Sequence, residues 1–133
     1  MLRSRYLIIS FFVGVLAYSF ESFAQNPSER QKLLTVWAGI LPIILSAPHG
    51  GRQPIPGVPI RSGVGVTQFV TGRDNNTDEL AETIALKLEQ RLYAKPFLIV
   101  ARFERKYLDA NRPSENAYES IEAKPYYDCY HSA

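Results

Sequence analysis

The sequence predicts an α/β domain in which a parallel or mixed sheet is flanked by helices. Three segments indicate this class: a short apolar run at residues 43–45, an amphipathic helical pattern at 77–93 and a continuous apolar run at 96–103. A strand, a helix and an unbroken hydrophobic strand in this order are typical of a βαβ unit. We expect its right-handed crossover to bring the carboxyl ends of both strands to one edge of the sheet.

The N-terminal residues carry the pattern of a secretory signal. Arg3 and Arg5 precede an apolar run at residues 6–18, and a small-residue motif, Ser-Phe-Ala, follows at residues 22–24. A basic region, a short hydrophobic region and a small-residue cleavage site are typical of signal peptides. The apolar run is shorter than a membrane-spanning helix. We therefore predict a cleaved signal peptide at residues 1–24.

Residues 25–133 are then expected to form a single exported domain, periplasmic or secreted. The chain has 15 basic and 13 acidic residues, a formal net charge of +2, and Arg3 and Arg5 lie in the signal. This near balance predicts no nucleic-acid partner and no stable membrane anchoring after signal cleavage. Cys129 is the only cysteine, so no internal disulfide forms.

The segments around the βαβ unit are less regular. Residues 26–32 are polar and predict a flexible lead-in, whereas residues 33–37 have the β-branched and aromatic content of an edge strand. Residues 113–123 predict a loop with a weak helical start, and residues 126–131 predict the beginning of a helix.

Between the first βαβ strand and the helix, residues 50–75 are rich in proline and glycine. Such a composition predicts a largely irregular segment, with a short strand at residues 64–70. Irregular segments of this length often line binding sites.

The helix at residues 77–93 has recognisable start and packing signals. Asn76 is positioned to cap it, and Glu79 stands three residues later, as in a capping box. One face is apolar, which predicts packing against the sheet through Leu80, Ile84, Leu88 and Leu92, beside Ala81 and Ala85.

His49 follows the first βαβ strand at a sharp turn with Gly50 and Gly51. A side chain at this point faces the crevice beyond the strand ends, where open α/β sheets bind ligands. A neutral imidazole there is suited to metal binding, and the glycines permit close approach. The alternative is a solvated turn histidine, and the residues alone leave both interpretations open.

A catalytic zinc commonly has three protein ligands of the His and carboxylate type. Asp74 precedes the helix and is the favoured acidic partner of His49, with Glu79 as the alternative. A third ligand is not evident, and His131 is the other histidine of the chain. Each acid also has a structural explanation at the helix start.

The second βαβ strand is followed by a polar run. Arg112 is suited to gripping a carboxylate with two parallel hydrogen bonds, and Asn111 adds a neutral donor. Arg105 is placed to reach the same anion. The alternative is a surface cluster of salt bridges among Glu104, Arg105, Lys106 and Asp109.

Three ordered motifs together resemble the N-formylglutamate amidohydrolase family. They are Pro48-His49-Gly50-Gly51, Asp74-x-x-Thr77-x-Glu79-Leu80-Ala81 and Arg105-x-x-x-Asp109-x-Asn111-Arg112. The resemblance covers most of residues 41–131. It implies a fold like that of zinc peptidases and phosphorylase-type hydrolases, and zinc-dependent hydrolysis of an amide bond next to a carboxylate.

Position by position, the resemblance implies that His49 and Asp74 bind zinc, with Glu79 as the alternative acid. It implies that a small-molecule or peptide substrate with a carboxylate is bound by Arg105, Asn111 and Arg112. Family members are roughly twice as long, so the resemblance implies an N-terminal part of such a domain. The general base is then expected beyond residue 133.

Two other functions remain open. An exported cell-wall amidase of the N-acetylmuramoyl-alanine type also uses zinc and places His-Gly-Gly after a strand. A catalytically inactive exported binding module, or a truncated fragment, is the non-enzymatic alternative. The export signal favours the first, and the absence of an evident third ligand favours the second.

Overall fold

The computed structural model describes residues 27–133, and the predicted signal peptide at residues 1–24 lies outside them. The elements are α1 (Pro27–Lys32), β1 (Leu34–Trp37), β2 (Ile44–Ala47), α2 (Thr77–Leu92), β3 (Phe97–Ala101), α3 (Ser114–Ala117), a 3-10 turn (Ile121–Ala123) and α4 (Lys124–His131). The predicted α/β arrangement is thus confirmed at the level of a small sheet with flanking helices. Among residues 27–133, no helix combines the length and apolar character that a bilayer span requires.

The sheet is mixed and has the strand order β1-β3-β2. β2 and β3 are parallel, with Leu45 opposite Leu98, whereas β1 pairs antiparallel with β3. The two parallel strands therefore end at the same edge of the sheet, as the βαβ pattern predicts. β1 occupies a sheet edge, which confirms the prediction of an edge strand.

The residues of β3 alternate between two hydrophobic cores, because successive side chains of a strand point to opposite faces. Leu98 and Val100 pack with Ala47 and Ala85 beneath α2. On the other face, Ala101 joins a larger core that includes residues of the C-terminal helix. The sheet is consequently held between α2 and α4, and its carboxyl edge is fixed from both sides.

The predicted packing face of α2 is wrong in part. Ala85 is buried and Ala81 packs beside it, but Leu80 is 57 % exposed and Leu92 is 50 % exposed. The small alanines allow the helix to approach the strands closely, and the narrow sheet covers only that alanine face. The leucine stripe, formed by Leu80, Ile84, Leu88 and Leu92, therefore lies outside the two cores.

The predicted capping box at the start of α2 is also wrong. Asn76 adopts a left-handed conformation with φ 63°, and within the described residues its side chain makes no capping hydrogen bond. The carboxylate of Glu79 instead accepts a bond of 3.3 Å from Arg52. Thr77 Oγ1 donates to the carbonyl of Asp74 and so ties the first turn to the preceding loop.

Two predictions outside the βαβ unit also differ from the structure. The polar lead-in forms the short helix α1 over its described residues, Pro27–Lys32, rather than a flexible segment. The short strand predicted at residues 64–70 is absent, since this stretch consists of turns. Gly65 and Gln68 have positive φ angles there, which interrupt an extended backbone.

Candidate functional site

His49 lies at the carboxyl edge of the sheet, in a turn whose next two positions accommodate only glycine. A Cβ atom on Gly50 would lie 2.6 Å from the backbone nitrogen of Asp78, at the start of α2. A Cβ atom on Gly51 would lie 2.3 Å from the carbonyl carbon of Arg102, just after β3. The glycines therefore let the chain pass between the helix and the strand, and they fix the position of the imidazole.

The imidazole of His49 lies between two carboxylates. Its Nδ1 atom is 3.2 Å from Oδ2 of Asp74, and its Nε2 atom is 2.7 Å from Oδ1 of Asp109. The side chain of Asp109 is 1 % exposed, whereas that of Asp74 is 52 % exposed. The arrangement thus runs from a buried carboxylate, through the ring, to a carboxylate at the surface.

Asp109 is held in its ionised form. Burial by itself would raise the pKa of its carboxyl, but hydrogen bonds from His49 and from Arg105 outweigh burial and hold the pKa well below its usual range. Arg105 Nε donates to Oδ2 at 2.8 Å, and the backbone nitrogen of Asn111 donates to Oδ1 at 3.2 Å. The Nε atom of Arg112 also lies 3.6 Å from Oδ2 of Asp109.

An ionised Asp109 fixes the tautomer of the ring. Because a carboxylate only accepts hydrogen bonds, Nε2 of His49 must carry the proton that it donates to Asp109. In a neutral ring the lone pair then lies on Nδ1, which faces Asp74. A histidine that donates one ring N–H to a carboxylate while its other nitrogen faces outward has the arrangement seen in metal-ligating histidines.

The outer pair, His49 and Asp74, is near the spacing of two zinc ligands. Bonds of 2.0–2.2 Å at tetrahedral angles place two ligand atoms about 3.3–3.6 Å apart, slightly more than the 3.2 Å between Nδ1 and Oδ2. The same distance suits a hydrogen bond from a protonated Nδ1, so a proton and a metal would compete for this place. Among residues 27–133, no group of three or more His, Cys, Asp or Glu is arranged to hold a metal.

The two other candidate ligands lie elsewhere. The exposed carboxylate of Glu79 faces Arg52. Nε2 of His131 donates to the carbonyl of Ala110 at 3.1 Å, and its ring packs against that of Tyr127. Of the two candidate acidic ligands, Asp74 and Glu79, only Asp74 lies beside His49. His131 has a structural contact that braces the segment after Asp109.

Both arginines of the predicted carboxylate site reach Asp109, but their remaining donors differ. In the described part of the chain, Arg105 forms side-chain bonds through Nε alone, which leaves its two Nη groups for another acceptor. Arg112 Nη1 donates to the carbonyl of Thr67 at 3.3 Å, and Nη2 donates to that of Gln68 at 2.7 Å. Asn111 is exposed beside them.

The predicted convergence of imidazole and guanidinium is present, since His49, Arg105 and Arg112 all contact one carboxylate. Both ion pairs of the alternative salt-bridge cluster also form, Glu104 with Lys106 and Arg105 with Asp109, each at 2.8 Å, but the second pair is buried rather than at the surface. Asp109 is buried and lies at the centre of the site, a role that the sequence analysis did not assign to it. The sequence signal for this role is the position of Asp109 four residues after Arg105 and three residues before Arg112, which allows both arginines to contact its carboxylate.

Arg61 is a second residue that the sequence analysis did not identify. Its buried guanidinium donates through Nη2 to the carbonyl of Arg105 at 2.7 Å and to that of Val70 at 3.0 Å. Burial lowers the pKa of Arg61, against the opposing effect of Asp109. Arg61 therefore braces the backbone that carries Arg105.

Comparison of the chain with protein-family models, with curated proteins and with solved structures finds no match.

Proposed function

We propose that this chain carries a zinc-dependent hydrolase site that cleaves an amide bond next to a carboxylate, similar to N-formylglutamate amidohydrolases. The proposal includes a fold related to that of zinc peptidases and phosphorylase-type hydrolases. The observation that carries it is the shared carboxylate of Asp109, which bonds to His49 at 2.7 Å and to Arg105 at 2.8 Å. One buried group thereby fixes the proposed metal ligand, His49, and the proposed anion-binding group, Arg105, relative to each other.

The metal half of the proposed site consists of His49 and Asp74. A zinc ion bound there would lower the pKa of a water molecule and polarise the substrate carbonyl. The contribution of the described residues is to hold the ligands in place: Asp109 keeps the proton on Nε2 of His49 and makes Nδ1 a better donor to a metal. Asp74 adds a negative charge that is half-exposed to solvent.

The anion half consists of Arg105, Asn111 and Arg112. Two guanidinium groups face the single carboxylate of Asp109, so the cluster retains a positive charge that favours an anionic substrate group. In the described residues the Nη groups of Arg105 form no hydrogen bond, and this side chain, which is 12 % exposed, is suited to adding a bond to a carboxylate that Arg112 grips. The proposed substrate is therefore a small molecule or peptide with a carboxylate near the scissile amide.

An exported cell-wall amidase is the second candidate, and the signal pattern at residues 1–24 favours it. Both functions share the metal half of the site, and they differ in the anion half. Hydrolysis of N-acyl amino acids that depends on the free carboxylate supports the first function. Cleavage of peptidoglycan fragments that is indifferent to Arg105 supports the second.

Zinc titration of purified variants tests the proposal. We expect the wild-type chain to bind zinc, and His49→Gln and Asp74→Asn to weaken binding by about 100-fold or more. Glu79→Gln is the matched control, because Glu79 faces Arg52 rather than His49, and its zinc affinity should equal that of the wild type. Equal zinc binding by His49→Gln and the wild type would rule out the proposed metal site.

A further inference from the structure

A turn-rich segment at residues 64–68, here called the strap, occupies the donors of Arg112. Nη2 of Arg112 donates to the carbonyl of Gln68 at 2.7 Å, and Nη1 donates to that of Thr67 at 3.3 Å. These two nitrogens form the fork with which an arginine grips a carboxylate. In the free protein, two backbone carbonyls therefore take the place that a substrate carboxylate would need.

The strap is anchored at both ends by contacts that do not involve Arg112. Before it, the carboxylate of Glu119 accepts bonds from the backbone nitrogens of Ser62 and Gly63, at 2.9 Å and 2.6 Å. After it, Arg61 donates to the carbonyl of Val70, and its guanidinium lies 5.0 Å from the ring centre of Phe69. Release of Arg112 would consequently free the strap while both anchors remain.

The strap itself is loosely held. Val64 is 85 % exposed, and a Cβ atom on Gly65 would meet nothing within 4 Å. Gln68 has φ 54°, a left-handed conformation that is unfavourable for a residue with a Cβ atom. Val66 is half-buried, and its backbone nitrogen donates to the carbonyl of Gly63 at 3.1 Å, so the bonds from Arg112 to Thr67 and Gln68 are the contacts that tie the strap to the site.

We propose that the strap selects for substrates with a free carboxylate by competing with them for Arg112; this inference rests on the proposed function. The guanidinium of Arg112 carries a positive charge, so a carboxylate attracts it as an opposite charge and accepts two parallel bonds from its fork, whereas the backbone carbonyls are neutral. A carboxylate therefore displaces the carbonyls of Thr67 and Gln68, whereas a carboxamide of the same shape does not. Binding of a substrate with a free carboxylate opens the strap. On the guanidinium of Arg112, the substrate carboxylate then replaces the carbonyls of Thr67 and Gln68.

Backbone ¹⁵N relaxation of the full chain tests this inference, with N-acetylglycine and N-acetylglycinamide as matched probes. N-acetylglycine at saturation should lower the order parameters of residues 64–68 from about 0.85 to below about 0.6. Phe69 and Val70 should stay rigid, because Arg61 still holds them. N-acetylglycinamide should leave the strap unchanged.

Two variants separate the strap from the rest of the proposal. Arg112→Gln should mobilise residues 64–68 without any ligand, while the amides of α2 report that the fold is intact. Arg91→Gln, which alters an exposed arginine on α2, is the control and should change nothing.

Three results would overturn the inference. A rigid strap in Arg112→Gln would do so regardless of function. Carboxylate binding that shifts the Arg105 signals but leaves the strap rigid would overturn the strap mechanism alone. Failure of the carboxylate probe to bind at all would overturn both the strap mechanism and the proposed anion site.

Discussion

Nε2 of His49 lies 2.7 Å from Oδ1 of Asp109, and this hydrogen bond joins the segments that follow the two parallel strands. His49 follows β2 and Asp109 follows β3, so the sheet topology is what brings them together. Because Asp109 also binds Arg105, the bond links the proposed metal and anion halves of the site. Stability, pH dependence and binding should therefore all depend on Asp109.

Removal of the buried charge should destabilise the fold. Asp109→Asn leaves His49 and Arg105 without their ionised partner, and breaking a buried ion pair costs about 3–5 kcal/mol. Urea unfolding monitored by circular dichroism measures the change. Asp74→Asn is the matched control on the other side of the same ring, and since Asp74 is half-exposed it should cost less than about 1 kcal/mol. Equal losses in the two variants would contradict the central position of Asp109.

Stability should fall with acid in a specific range. His49 and Arg105 hold the pKa of Asp109 below its usual value despite burial. A carboxyl with a lowered pKa in the folded state contributes stability above its unfolded pKa, about 3.9, and loses that contribution as the pH falls toward the folded value.

The free energy of unfolding should therefore decline below about pH 4 more steeply for the wild type than for Asp109→Asn. Urea unfolding of both proteins between about pH 6 and about pH 3 gives the comparison. A difference between them that is constant over this range would show that Asp109 is not the group responsible.

The turn after β2 should not tolerate a side chain. Gly51→Ala places a Cβ atom 2.3 Å from the backbone of Arg102, and such overpacking typically costs about 1–3 kcal/mol. Gly72→Ala is the control, because a Cβ atom there meets nothing within 4 Å. It should be neutral or stabilising by up to about 1 kcal/mol. Thermal unfolding of both variants measures these changes in stability. A Gly51→Ala variant as stable as the wild type would argue against the close passage of the chain beside β3.

The C-terminal helix should support the anion half of the site. Tyr127 Oη donates to the carbonyl of Arg112 at 3.0 Å, so Tyr127→Phe should cost about 1 kcal/mol of stability. It should weaken carboxylate binding while zinc affinity stays at the wild-type value, as measured by calorimetry. Tyr93→Phe, at a residue that is 93 % exposed, provides the control. A parallel loss of zinc affinity in Tyr127→Phe would contradict a contact that acts on Arg112.

Sequence patterns predicted the strands and the helix that have a regular pattern of apolar residues. The strands that become β2 and β3, and the helix that becomes α2, follow from apolar runs and helical spacing, and their order predicts a shared edge. The convergence of His49 with Arg112 follows from that topology. Their roles in binding zinc and a carboxylate stay predictions.

What sequence patterns missed depends on tertiary contacts. Asp109 sits in a polar run, and its burial arises only when His49 and Arg105 close around it. The leucine stripe of α2 looked like a core face, but Ala81 and Ala85 contact the sheet because they permit a closer approach. The bonds from Arg112 to the strap join residues 44 and 45 positions apart, which no local pattern encodes.

The ¹⁵N chemical shifts of the His49 ring, measured with and without zinc, report whether Nδ1 binds the metal while Nε2 donates to Asp109. We expect Nε2 to keep its proton when zinc is added, because Nε2 donates to Asp109, and we expect the Nδ1 resonance to respond more strongly than that of Nε2. The signals of His131, whose Nε2 donates to Ala110, serve as an internal reference and should not move. Loss of the Nε2 proton on addition of zinc, or a His49 ring that does not respond to zinc, would contradict the proposed metal site.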